Sequence, residues 1–184
     1  MQDSLIKVAF LDRDGVINKE VNYLFEIKHF EFTHKCIDAL NILGELGYKI
    51  IVVTNQAGIA RGFYTEHDYK LLTNWYLKEL QRYGVEVLAV YHCPHHPEGK
   101  VAKFAEVCNC RKPAPGMINA AMRDFEIDLK NSIIVGDKES DCVAGARAGV
   151  GKQYLVNSGH VLREQDYSKY EVYDNLYQLA LSLR

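Results

Sequence analysis

The sequence predicts an α/β fold: a doubly wound, mostly parallel, Rossmann-like sheet with helices on both faces. Two observations carry this. Five short apolar runs, rich in β-branched residues, alternate with segments of helical periodicity, as in successive βαβ units. Three of those runs end in polar groups, and the carboxyl ends of the strands are where an open α/β sheet binds its ligands.

Ile6 to Leu11 has the length and composition of a strand buried on both faces. It stops at Asp12, Asp14 follows, and Gly15 lets the chain turn away. At i, i+2 the two carboxylates share one side of the sheet edge. Lys19 to Phe32 shows no clear period and is expected to run over that edge. Cys36 to Leu46 places Ile37, Leu40, Leu43 and Leu46 at helical spacing, with Gly47 as its stop. Tyr48 to Thr54 is the second strand, and Thr54 to Gly62 reads as a small, polar loop.

Thr65-Glu-His-Asp68 is a variant helix-starting box for a helix from Glu66 to Arg82, with Gly84 after it. Val85 to Tyr91 is the third strand. His92 to Lys112 is a long loop holding most of the histidine and cysteine. Pro115 to Phe125 reads as a helix with proline near its first turn. Ser132 to Asp137 is the fourth strand, Glu139 to Ala148 a helix stopped by Gly149, Gln153 to Val156 the fifth strand and Asn175 to Leu183 a closing helix. No repeat or linker divides the chain, so one domain is expected over 1–184, with a loop insert over 92–112.

Composition narrows the function. The chain has 184 residues, 48% hydrophobic and 25% charged, as ordinary globular proteins do. Nothing in a net charge of −2 argues for a nucleic-acid surface, while a small anionic ligand stays open because local charge decides that. No apolar run is long enough to span a bilayer, and Met1 to Leu5 lacks the features of a signal peptide. A cytoplasmic protein, without membrane or nucleic-acid partners, is expected. Three of the five cysteines crowd into Cys93 to Cys110, which in a reducing compartment suggests metal before disulfide.

Strand ends supply Asp12 and Asp14, Thr54 and Asn55, and Asp137 with Asp141 beyond it. Carboxylates meeting at one edge repel one another, and a hard divalent cation such as magnesium relieves this. Lysine, a threonine hydroxyl and free backbone N–H groups suit phosphate oxygens. A phosphoryl group between magnesium and Lys112, with Asp12 as nucleophile, is the inferred arrangement. Cys93-x-His95 and Cys108-x-Cys110 offer three sulfurs and one imidazole, a structural-zinc set, with His96 and His92 as alternative ligands. Cys36 and Cys142 fall on helices and read as core.

These motifs resemble the haloacid-dehalogenase-like (HAD-like) phosphatases. Asp12-Arg-Asp-Gly-Val-Ile matches their first motif, Thr54 their second, Lys112 their third and Gly136-Asp137-Lys-Glu-Ser-Asp141 their fourth. Val53-Thr-Asn-Gln-Ala-Gly-Ile-Ala-Arg-Gly62, Cys93-Pro-His-His-Pro97 and Cys108-Asn-Cys-Arg-Lys-Pro-Ala-Pro-Gly-Met117 are similar to the heptose-1,7-bisphosphate 7-phosphatases. The histidinol-phosphate phosphatases share most of them.

The resemblance implies a HAD-like fold without a large cap domain and with a small zinc-bound loop. It implies a magnesium-dependent phosphatase that removes the 7-phosphate of a heptose bisphosphate on the way to nucleotide-activated heptose, as in lipopolysaccharide biosynthesis. Histidinol-phosphate hydrolysis and non-enzymatic phosphosugar binding are the alternatives. In that reading Asp12 attacks phosphorus, and Asp14 protonates the leaving oxygen, then deprotonates water. Thr54 and Lys112 hold the transferring oxygens. Magnesium contacts Asp12, the Asp14 carbonyl and Asp137. Asn55, Gln56, Arg61, Arg111 and Lys138 meet substrate, Asp141 orients Lys112 or a metal-bound water, and Cys93, His95, Cys108 and Cys110 hold zinc. A monomer acting on a small sugar bisphosphate is expected.

Overall fold

β1 (Val8–Leu11) lies inside a six-stranded sheet, and all four of its side chains are buried. A strand covered on both faces has no solvent side, so its residues are apolar without alternation. The computed structural model describes residues 5–184; the expected absence of a signal peptide concerns Met1 to Leu5 and lies, but for Leu5, outside them. The other strands are β2 (Lys49–Asn55), β3 (Val87–Cys93), β4 (Ile133–Gly136), β5 (Lys152–Val156) and β6 (Glu171–Tyr173). They run in the order β3-β2-β1-β4-β5-β6, and every neighbouring pair is parallel.

Alternate residues of the strands feed two cores. Ala9, Leu11, Ile50 and Val52 pack beneath α1 (Cys36–Glu45), α3 (Glu66–Arg82) and α7 (Leu176–Ser182). Val8, Phe10, Ile51 and Val53 pack beneath α4 (Gly116–Asp124) and α5 (Glu139–Ala148). Each fully buried Leu, Ile or Phe contributes about 1.5–3 kcal/mol, which ties both helix layers to the sheet. The box at the start of α3 forms in both directions: Thr65 Oγ1 accepts the Asp68 N–H at 3.2 Å and Asp68 accepts the Thr65 N–H at 2.8 Å. Cys36 and Cys142 are both core residues.

The strand order reverses between β1 and β4, where the connections leave toward opposite faces and a crevice opens at the carboxyl ends. Leu11 pairs with Val135, so Asp12 and Asp137 emerge side by side there.

Three stretches differ from the sequence reading. Ala57–Arg61 forms a short helix, α2, where a loop is expected. Its Ala60 accepts the N–H groups of Lys100 and Val101 and donates to the Pro94 carbonyl, partners a local reading cannot see. β3 starts later than Val85 and runs on to Cys93, because pairing with β2 continues through Asn55 opposite Cys93. After β5, α6 (Glu164–Lys169) and β6 have no counterpart in the sequence reading; a three-residue strand is too short to show a period. Three single-turn 3-10 helices, Ile27–His29, Ala102–Phe104 and Leu129–Asn131, are likewise not foreseen; the other helices and strands lie within two residues of their expected limits. Among the described residues no helix is long and apolar enough to cross a membrane.

Candidate active site

Asp12 follows β1 directly and is nearly buried, its Oδ1 accepting the Arg13 N–H at 2.7 Å. Lys112, from the loop before α4, reaches under it. The ammonium lies 3.1 Å from Asp12 Oδ2 and 2.6 Å from Asp141 Oδ1, and donates to the Val53 carbonyl at 2.7 Å. Burial pushes the Asp12 carboxyl up to about 6; Lys112 pulls it down, while Asp141 and Asp14 push it up. For Lys112 burial disfavours the charged form, but Asp12 and then Asp141 outweigh it and the pKa ends above its ordinary value.

Asp137 follows β4. Its Oδ2 accepts the His160 backbone N–H at 3.0 Å and lies 2.6 Å from His160 Nδ1, which leaves the other oxygen for a cation. Gly15 and Gly159 close over it: a Cβ on either would stand within 2.4 Å of Asp137 Oδ2, and Gly15 also needs its φ of +81°. Burial first, then the charge of Asp12, raises the Asp137 pKa. Asp12, Asp137 and Asp141 offer oxygens within 4.8 Å of one another. Three crowded, buried carboxylates facing one ammonium are short of positive charge, and hard oxygen ligands fit magnesium.

Asp14 is held differently. Arg13, 1% exposed, grips it at 2.8 and 3.0 Å through Nη2 and at 3.2 Å through Nε. Asn18 and Gln56 each donate to it at 3.0 Å. The Gln56 amide also donates to Thr54 Oγ1 at 2.9 Å and accepts from Tyr64 at 2.5 Å. Both ends of Gln56 are thus engaged, and one side chain fixes the Asp14 carboxylate and the Thr54 hydroxyl together.

These groups open into a cavity of about 530 Å³. Asp12, Asp14, Asn55, Gln56, Arg61, Arg111, Lys112 and Lys138 all line it; Thr54 and Asp137 do not, being buried behind its wall. Glu20, Asn22, Tyr23 and Leu24 line it too, so the first part of the aperiodic Lys19 to Phe32 segment runs over the active edge, while Phe30 and Phe32 turn into the core. Asn55 braces the loop by pairing with the Lys112 backbone, accepting its N–H at 3.0 Å and donating to its carbonyl at 3.1 Å. The roles of Arg13, Tyr64 and His160 are absent from the sequence reading, because each depends on a tertiary partner.

Beside the cavity the long loop folds Cys93, His95, Cys108 and Cys110 together, with ligand atoms within 4.8 Å of one another. The sulfur–sulfur separations of 3.0, 3.3 and 3.4 Å are far longer than a disulfide's ~2.05 Å, so the three sulfurs gather around one point as free thiols, a little inside the ~3.8 Å edge that Zn–S bonds of about 2.3 Å would set. His95 turns Nδ1 to the sulfurs and Nε2 to Glu106 at 3.2 Å, the outer carboxylate that fixes a metal-binding imidazole. His92 lies in β3, stacked on Tyr69 and paired with Glu66, and His96 faces the cavity; neither joins the cluster.

A HAD-hydrolase-like family model matches residues 109–179. The chain is 57% identical over 164 residues to the D-glycero-alpha-D-manno-heptose-1,7-bisphosphate 7-phosphatase of Photorhabdus laumondii, covering 89% of this chain and 90% of that protein. It is 46% identical over 154 residues to the D-glycero-beta-D-manno-heptose-1,7-bisphosphate 7-phosphatase of Escherichia coli K12, covering 84% and 81%. Among solved structures, the D,D-heptose 1,7-bisphosphate phosphatase from B. bronchiseptica, complexed with magnesium and phosphate, superposes with a TM-score of 0.81 at 28% identity, over 97% of this chain and 98% of that one.

Proposed function

The chain belongs to the heptose-1,7-bisphosphate 7-phosphatases of the HAD-like hydrolases, and from that we propose that it hydrolyses the 7-phosphate of D-glycero-D-manno-heptose 1,7-bisphosphate through an aspartyl phosphate on Asp12. The observation that carries the chemistry is the buried Asp12–Lys112–Asp141 cluster opening into a cavity at the switch point of the sheet. Asp12, Asp137 and the Asp14 carbonyl would hold magnesium, which neutralises charge on the transferring phosphoryl group. Lys112 and the Thr54 hydroxyl hold phosphoryl oxygens as Asp12 attacks phosphorus. Asp14 gives a proton to the departing primary alkoxide, a poor leaving group otherwise, and then takes one from the hydrolytic water. We read the whole chain as one domain that works as a cytoplasmic monomer.

A second anion distinguishes a bisphosphate from histidinol phosphate. Arg61, Arg111 and Lys138 line the same cavity as Asp12, which supports the bisphosphate. The alpha anomer at carbon 1 is favoured by the 57% identical relative, whose name specifies it. A phosphate-release screen with both heptose-bisphosphate anomers and histidinol phosphate tests the reading. The highest kcat/KM is expected for the alpha bisphosphate, and a preference for histidinol phosphate would replace the reading.

Cys93, His95, Cys108 and Cys110 would hold zinc with no position left for water, so its task is to fold a loop with few apolar residues of its own. That loop ends at Arg111-Lys112. The protein is expected to carry about one zinc per chain. Cys108→Ser should lower zinc content, Tm and turnover together, even in excess magnesium. Full activity in zinc-free protein, read by elemental analysis beside the assay, would refute this role.

A further inference from the structure

His96 presents an unsolved hydrogen-bonding problem at the cavity wall. Its Nδ1 lies 3.1 Å from the Glu98 backbone nitrogen, whose N–H donates to it. A backbone N–H can only donate, so Nδ1 carries no proton and the ring proton sits on Nε2. Yet Nε2 faces Arg61 Nη2 at 3.2 Å, and a guanidinium also only donates. Two donors therefore meet with no acceptor between them.

Arg61 Nε is buried without a hydrogen-bond partner as well. The carboxylate facing this guanidinium, Glu98, is 3.9 Å away and 81% exposed, too far and too wet to satisfy it. Arg111, on the same wall, spends one nitrogen on a 3.4 Å contact with the His95 carbonyl. Unsatisfied donors on His96 and Arg61, residues that line the cavity holding Asp12, describe a receptor for an anion with several oxygens.

We propose that the Nε2–H of His96 and the guanidinium of Arg61 clamp the anomeric phosphate of the substrate, so that His96 determines specificity for the bisphosphate. The assignment rests on the heptose-bisphosphate reading. His96 is well placed for it: its neighbour His95 belongs to the metal-ligand cluster, and its own N–H donates to the Phe104 carbonyl, which fixes the backbone. The sequence offers His96 as an alternative zinc ligand; the structure turns it to the opposite task.

His96→Phe keeps a ring and removes both nitrogens, while His96→Gln keeps an amide N–H close to the Nε2 position. kcat/KM is measured for the 1,7-bisphosphate and for the 7-monophosphate that lacks the anomeric group. His96→Phe should lose about tenfold more on the bisphosphate than on the monophosphate, chiefly in KM, and His96→Gln should recover most of that difference. Equal losses on both substrates, or no loss on the bisphosphate, overturn the assignment. Calorimetry with D-mannose 1-phosphate decides the subsite independently of turnover: wild type should bind about tenfold more tightly than His96→Phe. If wild type binds this probe but releases no phosphate from the bisphosphate, the functional reading fails and the anion site stands. If wild type and variant bind it alike, or neither binds, the anion site fails.

Discussion

Asp12→Asn is expected to slow phosphate release on the order of 10⁴-fold or more while leaving the fold intact, because on the proposed mechanism it removes the nucleophile rather than a contact that assists it. Stability and activity should part in this variant. Asp12 has a folded pKa of about 6 against an ordinary 3.8, so the folded state favours its neutral form. The stability this group contributes is complete below about 3.8 and is lost as pH rises through about 6. At pH 7 without magnesium the ionised carboxylate is therefore a burden, and its neutral amide should leave Tm no lower than wild type. Magnesium should raise the Tm of wild type but much less that of the variant, which lacks one ligand. Turnover within tenfold of wild type would end the covalent mechanism. A collapse of Tm at pH 7 would show that Asp12 holds Lys112 in place rather than straining against burial.

The parts of this site that a reader of the sequence can find are those that end strands. Asp12, Thr54 and Asp137 close apolar runs whose length and β-branching are local signals, and the alternation of strands and helices brings them to one edge. Lys112 is legible for another reason: it ends the cysteine-rich loop in a recognisable motif. Arg13 is not legible, since a charged residue between two aspartates reads as solvated, whereas it is nearly fully buried against Asp14 and the Leu24 carbonyl. Nor is His160, which meets Asp137 from a loop 23 residues further along the chain. Gln56 lies in the expected loop, but its amide is committed to Asp14, Thr54 and Tyr64, which only the folded geometry discloses. Sequence pattern carries backbone periodicity; it does not carry the pairing of buried polar groups across the sheet edge.

Lys112→Met should cost both stability and catalysis, and pH should separate the two. The methionine fills the stem's volume but leaves Asp12 and Asp141 facing each other without a cation and leaves the Val53 carbonyl unpaired. Breaking a buried ion pair on one side costs about 3–5 kcal/mol, a large share of the roughly 5–15 kcal/mol that holds a domain together. Lys112 is a force that lowers the Asp12 pKa, so its loss raises that pKa further. The variant's stability deficit should then be smaller at pH 5, where Asp12 can be neutral, and grow as pH rises through about 6 toward 7.5. Urea unfolding at the two pH values in magnesium-free buffer, with zinc left in place, reads this directly. Adding Asp141→Asn removes one of the opposed charges and should return much of the stability at pH 7.5. It should return none of the turnover, because the cation that the proposed mechanism sets on the transferring phosphoryl group is still missing and its loss alone costs about 10²–10³-fold. If the deficit were the same at both pH values and the double variant no more stable than the single one, the loss would lie in packing of the lysine stem, and the charge balance around Asp12 would not be what Lys112 supplies.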